Sequence, residues 1–131
     1  MKKFLSALLL VFVSMSLSAQ SFSINIIGDV PESAANLMQQ RFTQMLSVGG
    51  LKVQEGATPL QVSPIVVEQM ATPGAMSQSV VVLAINAKAG DVEETFTVKG
   101  VGKNDDDAWL RAVKQLIPTS RTAREFVKKL K

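Results

Sequence analysis

Cysteine, histidine and tyrosine are absent from this chain, and tryptophan occurs once. Without cysteine there is no disulfide, no thiolate metal ligand and no cysteine nucleophile. Without histidine, the commonest metal ligand and the usual general base near neutral pH are both missing. So few polar aromatics leave little for stacking on sugars or bases, and no nucleic-acid partner is expected. Any catalysis would fall to carboxylates, lysines, serines and threonines. Glu93 and Glu94 are adjacent on a predicted strand, so they point to opposite faces and make no acid/base pair. Asp29 and Glu32 flank a predicted helix start and serve it. Neither G-x-S-x-G nor S-x-x-K occurs after residue 19. No catalytic, cofactor-binding or metal-binding residue is expected, and the chain is not read as an enzyme.

What is present begins with MKKFLSALLLVFVSMSLSAQ. Lys2 and Lys3 make a basic head, Phe4 to Val13 an apolar run, and Ser14 to Ala19 a small-residue tail. That pattern predicts a signal peptide over 1–19, too short and wrongly flanked for a spanning helix. The cut is placed after Ala19, with Ser18 as the alternative because Leu17 is a poor minus-three residue. Residues 20–131 then form a single domain with room for one modest core. No second long apolar run follows, so no spanning segment is expected in the mature chain. The expected location is periplasmic or secreted, and the missing lipid-attachment cysteine argues against an anchor.

Charge divides unevenly. Residues 20–98 hold three basic side chains against seven acids, whereas residues 99–131 hold nine against four. The basic end, with Arg121, Arg124, Lys128, Lys129 and Lys131, could meet an anionic partner or simply be a solvated helix surface.

Periodicity supplies the elements. SFSINI alternates Phe22, Ile24 and Ile26 on one face of a strand. After Gly28-Asp29, Pro31 suits a helix's first turn. Ala35, Met38, Phe42, Met45 and Leu46 then make one apolar helical stripe, stopped by Gly49-Gly50. LQVSPIVVEQM reads as a strand whose Pro64 calls for an edge or a bulge, and Pro73-Gly74 marks a turn. SVVVLAINAK and DVEETFTVKGVG form a β-hairpin around Ala89-Gly90-Asp91, with Lys88 near Glu93 and Glu94 across it. On the first arm, Val81, Leu83 and Ile85 form one row and Val80, Val82 and Ala84 the other. Both rows are apolar, which places this strand centrally or turns one face to a partner. The C-terminal part is helical: Ala108, Ala112 and Leu116 share a side with Trp109, Val113 and Ile117 beside them. After Pro118, Ala123, Phe126, Val127 and Leu130 form a second face, with Thr122 and Glu125 in capping-box spacing.

KGVGKNDDDAW, residues 99–109, is the one stretch that suggests chemistry. A Walker loop needs a Ser or Thr after its lysine and four residues between its glycines, and neither condition is met. A dinucleotide fingerprint needs a third glycine where Asp105 stands, and three carboxylates at a helix start would repel a phosphate. Consecutive aspartates on a helix fan out by about 100° per residue, so they cannot converge on one ion beyond a weak bidentate contact. The structural reading uses every letter. Asn104 caps a helix, Asp105 to Asp107 favour the positive end of its dipole, and Gly100 and Gly102 let Ala108 and Ala112 approach the sheet.

Helix to Gly49-Gly50, strand Leu60-x-Val62-x-Pro64-x-Val66, hairpin, Phe96, Lys99-Gly100-Val101-Gly102-Lys103-Asn104 and Ala108-x-x-x-Ala112: in this order the chain resembles small envelope proteins of Gram-negative bacteria. These are similar to the N-terminal domain of the flagellar assembly T protein and to short α+β lipoproteins. The resemblance implies an envelope-associated, non-catalytic module and transfers no catalytic residue. The reading is therefore an α+β domain in the order β-α-β-β-β-α, with one antiparallel-rich sheet of about four strands and two or three helices on one face. The expected function is an exported accessory module working through protein contacts, with an envelope protein or a second copy as partner. Candidate contact residues are Val80, Val82, Ala84 and Val101, and the basic C-terminal helix. A secreted inhibitor and an anionic-polymer binder are the alternatives; the Gln-x-Val-x-Gly wedge of cystatin-like inhibitors is absent from the hairpin.

Overall fold

A computed structural model describes residues 20–72 and 78–131; the predicted signal peptide and the Pro73-Gly74 turn lie outside them. Ser21–Ile26 forms β1, Glu32–Val48 α1, Lys52–Val53 β2 and Thr58–Thr72 β3. Gln78–Ala89 forms β4, Val92–Gly102 β5, Asp105–Lys114 α2 and Arg121–Leu130 α3. The α+β class is as expected. The sheet, however, has five strands in the order β2-β1-β3-β4-β5 rather than about four. It is also mixed: β1 pairs in parallel with β2 and with β3, and only β3–β4 and β4–β5 are antiparallel. The reason is α1, which carries the chain from one end of the sheet back to the other, so the strands that follow run alongside β1.

The three described helices pack on one face. Phe22, Ile24, Leu60, Val62, Val81, Leu83, Ile85, Phe96 and Val98 supply the sheet side of the core. Met38, Phe42, Leu46, Ala112, Val113, Phe126 and Val127 meet them from the helices. Phe42 of α1, Phe96 of β5 and Phe126 of α3 stack edge to face, with centroids 5.8 and 5.9 Å apart. One aromatic from each element thus ties the helices to the sheet, each contact adding about 0.5–1.5 kcal/mol beyond buried area.

Local chemistry sets most boundaries. Gly50, at φ +84°, takes the left-handed position after α1, and the Leu51 amide donates to the Leu46 carbonyl. Gly49 is needed for another reason: a Cβ there would run into Cγ1 of Val127 on α3. Pro31 sits just before α1 rather than in its first turn, and Ala34, not Ala35, carries the stripe inward. The α3 cap is Ser120, whose hydroxyl oxygen accepts from the Ala123 amide at 3.2 Å, rather than Thr122.

β3 resolves the proline question in two parts. It is the central strand of five, yet β1 pairs with it only from Thr58 to Val62. Pro64 lies in the stretch beyond, where a missing amide hydrogen disturbs no ladder on that side. The register with β4 then shifts between Val66 and Glu68, so Val67 is an extra, bulged residue. At the far end, Gly90 takes φ +60° as the first residue of the two-residue β4–β5 turn. Lys88 stands opposite Glu93, but among the described residues it makes no ion pair within 4 Å. Glu93 instead accepts from Asn86 Nδ2 at 2.8 Å, and Glu94 faces Lys129 Nζ at 3.7 Å.

Candidate interaction surfaces

The strand-to-helix joint comes first, because it bore the chemical suggestion. Asn104 Oδ1 accepts from the Asp107 amide at 2.8 Å, and Asp107 Oδ2 accepts from the Lys103 amide at 3.0 Å and from Arg111 Nε at 3.1 Å. The Lys103 amide bond, reinforced by Arg111, holds the Asp107 carboxyl below the ordinary aspartate value. Gly100 and Gly102 both face α2. A Cβ on Gly100 would strike the Ala108 carbonyl and the Ala112 backbone, and one on Gly102 would come within 2.6 Å of the Ala108 amide nitrogen. Among the described residues, no cluster of three or more acidic side chains is arranged to hold a metal. The joint is architecture.

Among the described residues, the opposite face of the sheet carries no helix. Register sets its side chains in rows running across β3, β4 and β5. Three rows at one end are Met70–Val80–Val101, Glu68–Val82–Lys99 and Ile65–Ala84–Thr97. Two at the other end, Ser63–Asn86–Thr95 and Gln61–Lys88–Glu93, are polar. The expected residues Val80, Val82, Ala84 and Val101 therefore lie on one face, with Val80 directly opposite Val101. Sequence reasoning missed two others: Ile65 and Met70 are 59% and 55% exposed and extend the patch across β3. They have opposite parity along the strand and reach the same face only because Val67 is bulged between them. Val101 is 39% exposed, while Val80, Val82 and Ala84 are half-buried between their cross-strand neighbours. A single charged pair, Glu68 and Lys99, flanks Val82 from either side. Scattered exposed apolar residues need no explanation; here they adjoin one another across three strands.

The basic helix does not present its five charges together. Ala123, Phe126, Val127 and Leu130 bury one stripe of α3. Arg121 bonds Glu125 within the helix at 3.2 Å, and Lys129 reaches across to Glu94 on β5. Arg124, Lys128 and Lys131, spaced to share a flank, have no carboxylate within 4 Å among the described residues. They turn toward the end of α1, where a groove of about 490 Å³ lies between the two helices. A second cleft of about 400 Å³ beside Gly100 and Val101 has Lys99, Arg111 and Lys114 on its walls, but Arg111 there is engaged by Asp107.

No protein family matches the chain, and no curated protein does. Among solved structures it is similar to a minor lipoprotein from Acinetobacter baumannii, at 8% identity over 87% of this chain and 91% of that one, with a TM-score of 0.45. It is also similar to dodecameric PelC from Paraburkholderia phytofirmans in two crystal forms. Identities there are 13% and 19% over 76% of this chain and 86% of the other, with TM-scores of 0.40 and 0.36. Among the described residues, no helix is long and apolar enough to cross a membrane.

Proposed function

We propose that this chain is an exported, non-catalytic module of the bacterial cell envelope that works by protein contact, and that a second copy is the first partner its surface specifies. Export and the periplasmic or secreted setting are supported by the basic head, apolar run and small-residue tail of 1–19. The envelope assignment is supported by the sequence resemblance to short lipoproteins and to the flagellar assembly T domain. The non-catalytic reading is supported by the lack of histidine and cysteine and by the structural engagement of Asp107, which accepts from the Lys103 amide and Arg111.

The observation that carries the contact reading is the apolar face, free of helices among the described residues, and its charge layout. Glu68 and Lys99 stand on opposite sides of Val82 in a single row. A two-fold axis along β4 would lay that row against itself reversed, so each Glu68 meets Lys99 of the second copy. An axis across the strands would set like charges together instead. Six apolar residues make a small interface, so a reversible association rather than a permanent dimer is expected. Sedimentation velocity on the purified protein should show a concentration-dependent monomer–dimer equilibrium. Val82→Arg should leave a folded monomer at every concentration; a Val82→Arg protein that still dimerises overturns the reading.

The inhibitor alternative rests on a helix followed by an antiparallel meander, here α1 and then β3, β4 and β5. Its β4–β5 turn reads Lys88-Ala89-Gly90-Asp91, without the wedge motif. The polymer-binding alternative is weakened because two of its five basic residues are already paired.

A further inference from the structure

We propose that the groove between the C-terminal end of α1 and α3 binds a single-chain amphiphile with an anionic head, of which a medium-chain fatty carboxylate is the simplest example. The floor is apolar, formed by Met45, Val48, Pro118 and Val127. Val48 is 61% exposed, a large aliphatic side chain left uncovered at a helix end. The volume of about 490 Å³ falls within the range of small-molecule sites. Gly49 draws α1 against Val127, so the floor is continuous between the helices.

The rim supplies the head group's counter-charge. Arg124, Lys128 and Lys131 line this groove, and they are also the three basic residues of the C-terminal helix that lack an acidic partner within 4 Å among the described residues. Arg121 and Lys129 have such partners and are not among the lining residues. The cations are not needed to cap α1, because the Met45, Leu46 and Ser47 carbonyls already accept from the Gly49, Leu51 and Gly50 amides. An apolar floor beneath a cationic rim with no carboxylate within 4 Å among the described residues matches a ligand with an aliphatic body and one acidic end. A purely polar anion would leave the floor empty, and a neutral lipid would leave the rim unpaired.

Isothermal titration calorimetry on the purified protein tests this with octanoate, decanoate and dodecanoate, each below its micelle concentration, and with decanol as the neutral control. One molecule per chain should bind, with affinity rising about 3–4-fold per added methylene. Decanol should bind at least about 10-fold more weakly than decanoate. The double variant Arg124→Gln/Lys128→Gln, whose changes lie on exposed positions, should lose about 10-fold for decanoate and nothing for decanol, at an unchanged melting temperature. Val48→Asp should weaken both. No saturable decanoate binding, an affinity indifferent to chain length, or a double variant that binds decanoate as tightly as the parent overturns the proposal. Co-sedimentation with phosphatidylglycerol vesicles without any binding of free decanoate also overturns it, since the helix would then be reading a membrane surface.

Discussion

Along β4, Val81, Leu83 and Ile85 have no exposed surface, whereas Val80, Val82 and Ala84, one residue out of phase, lie on a face that none of the described helices covers. The two rows are nearly interchangeable in composition, so hydrophobicity did not choose between them. The choice lies on the next strand. On β5, the row beneath the helices ends in Phe96, Val98, Gly100 and Gly102, while the other row holds Thr95, Thr97, Lys99 and Val101. Glycines admit the backbone of α2, and a lysine with two threonines on the other row gives a helix nothing to pack against. One face becomes the core because its neighbours are small where a helix must cross. The other carries no helix among the described residues, and it is the face proposed above for contact with a second copy.

The comparison breaks most violently at Gly100. Gly100→Ala adds one methyl directly into the Ala108 carbonyl and the Ala112 backbone, neither of which can move without lifting α2. A loss of about 3 kcal/mol or more is expected in urea unfolding, and Gly100→Val should be worse. Val101→Ala, one residue along and on the open face, should cost less than about 1 kcal/mol. Equal costs at the two positions would mean the faces do not differ as described.

A matched pair sharpens the contrast. Val81→Thr puts an unpartnered hydroxyl into the core and should cost about 1–3 kcal/mol. Val82→Thr keeps the β-branched shape on the open face and should stay within about 0.5 kcal/mol, measured at concentrations low enough for a monomer. Only at higher concentration should Val82→Thr show an effect, as weaker association.

Much of the covered face was legible because its signals are local. Gly49-Gly50, the Gly90-Asp91 turn and the Asn104 joint each lie within a few residues of what they control. The alternation that separates Val81 from Val82 is equally local. What was not legible depends on partners distant in sequence. β2 is two residues long, too short to show alternation, and exists only because β1 accepts it. The parallel pairings follow from where α1 delivers the chain. Ile65 and Met70 join the open patch through a bulge that a strict period of two does not foresee. The α1–α3 groove joins residues far apart in the chain, and the basic helix showed its charges without showing which were already paired.

The smallest expected effect concerns the joint that holds α2 on the covered face. Asp107 has its carboxyl held low by the Lys103 amide, with help from Arg111. A carboxylate depressed on folding contributes stability at pH values above its unfolded pKa and loses it as pH falls through the folded value. The stabilising contribution is therefore intact at neutral pH and disappears in the acid limb. Asp107→Asn should lower the melting temperature slightly at pH 7 and approach the parent protein in strong acid. A constant gap at every pH would remove the ionised carboxylate from the account.

The open face is tested most directly by exchanging its two charges. Sedimentation equilibrium would compare the parent protein with Glu68→Lys, Lys99→Glu and the double exchange. Each single change should weaken dimerisation at least about 10-fold by setting like charges together, and the double exchange should restore it to within about 3-fold. A parent protein that stays monomeric into the millimolar range, or a double exchange no better than either single one, would contradict the self-complementary face.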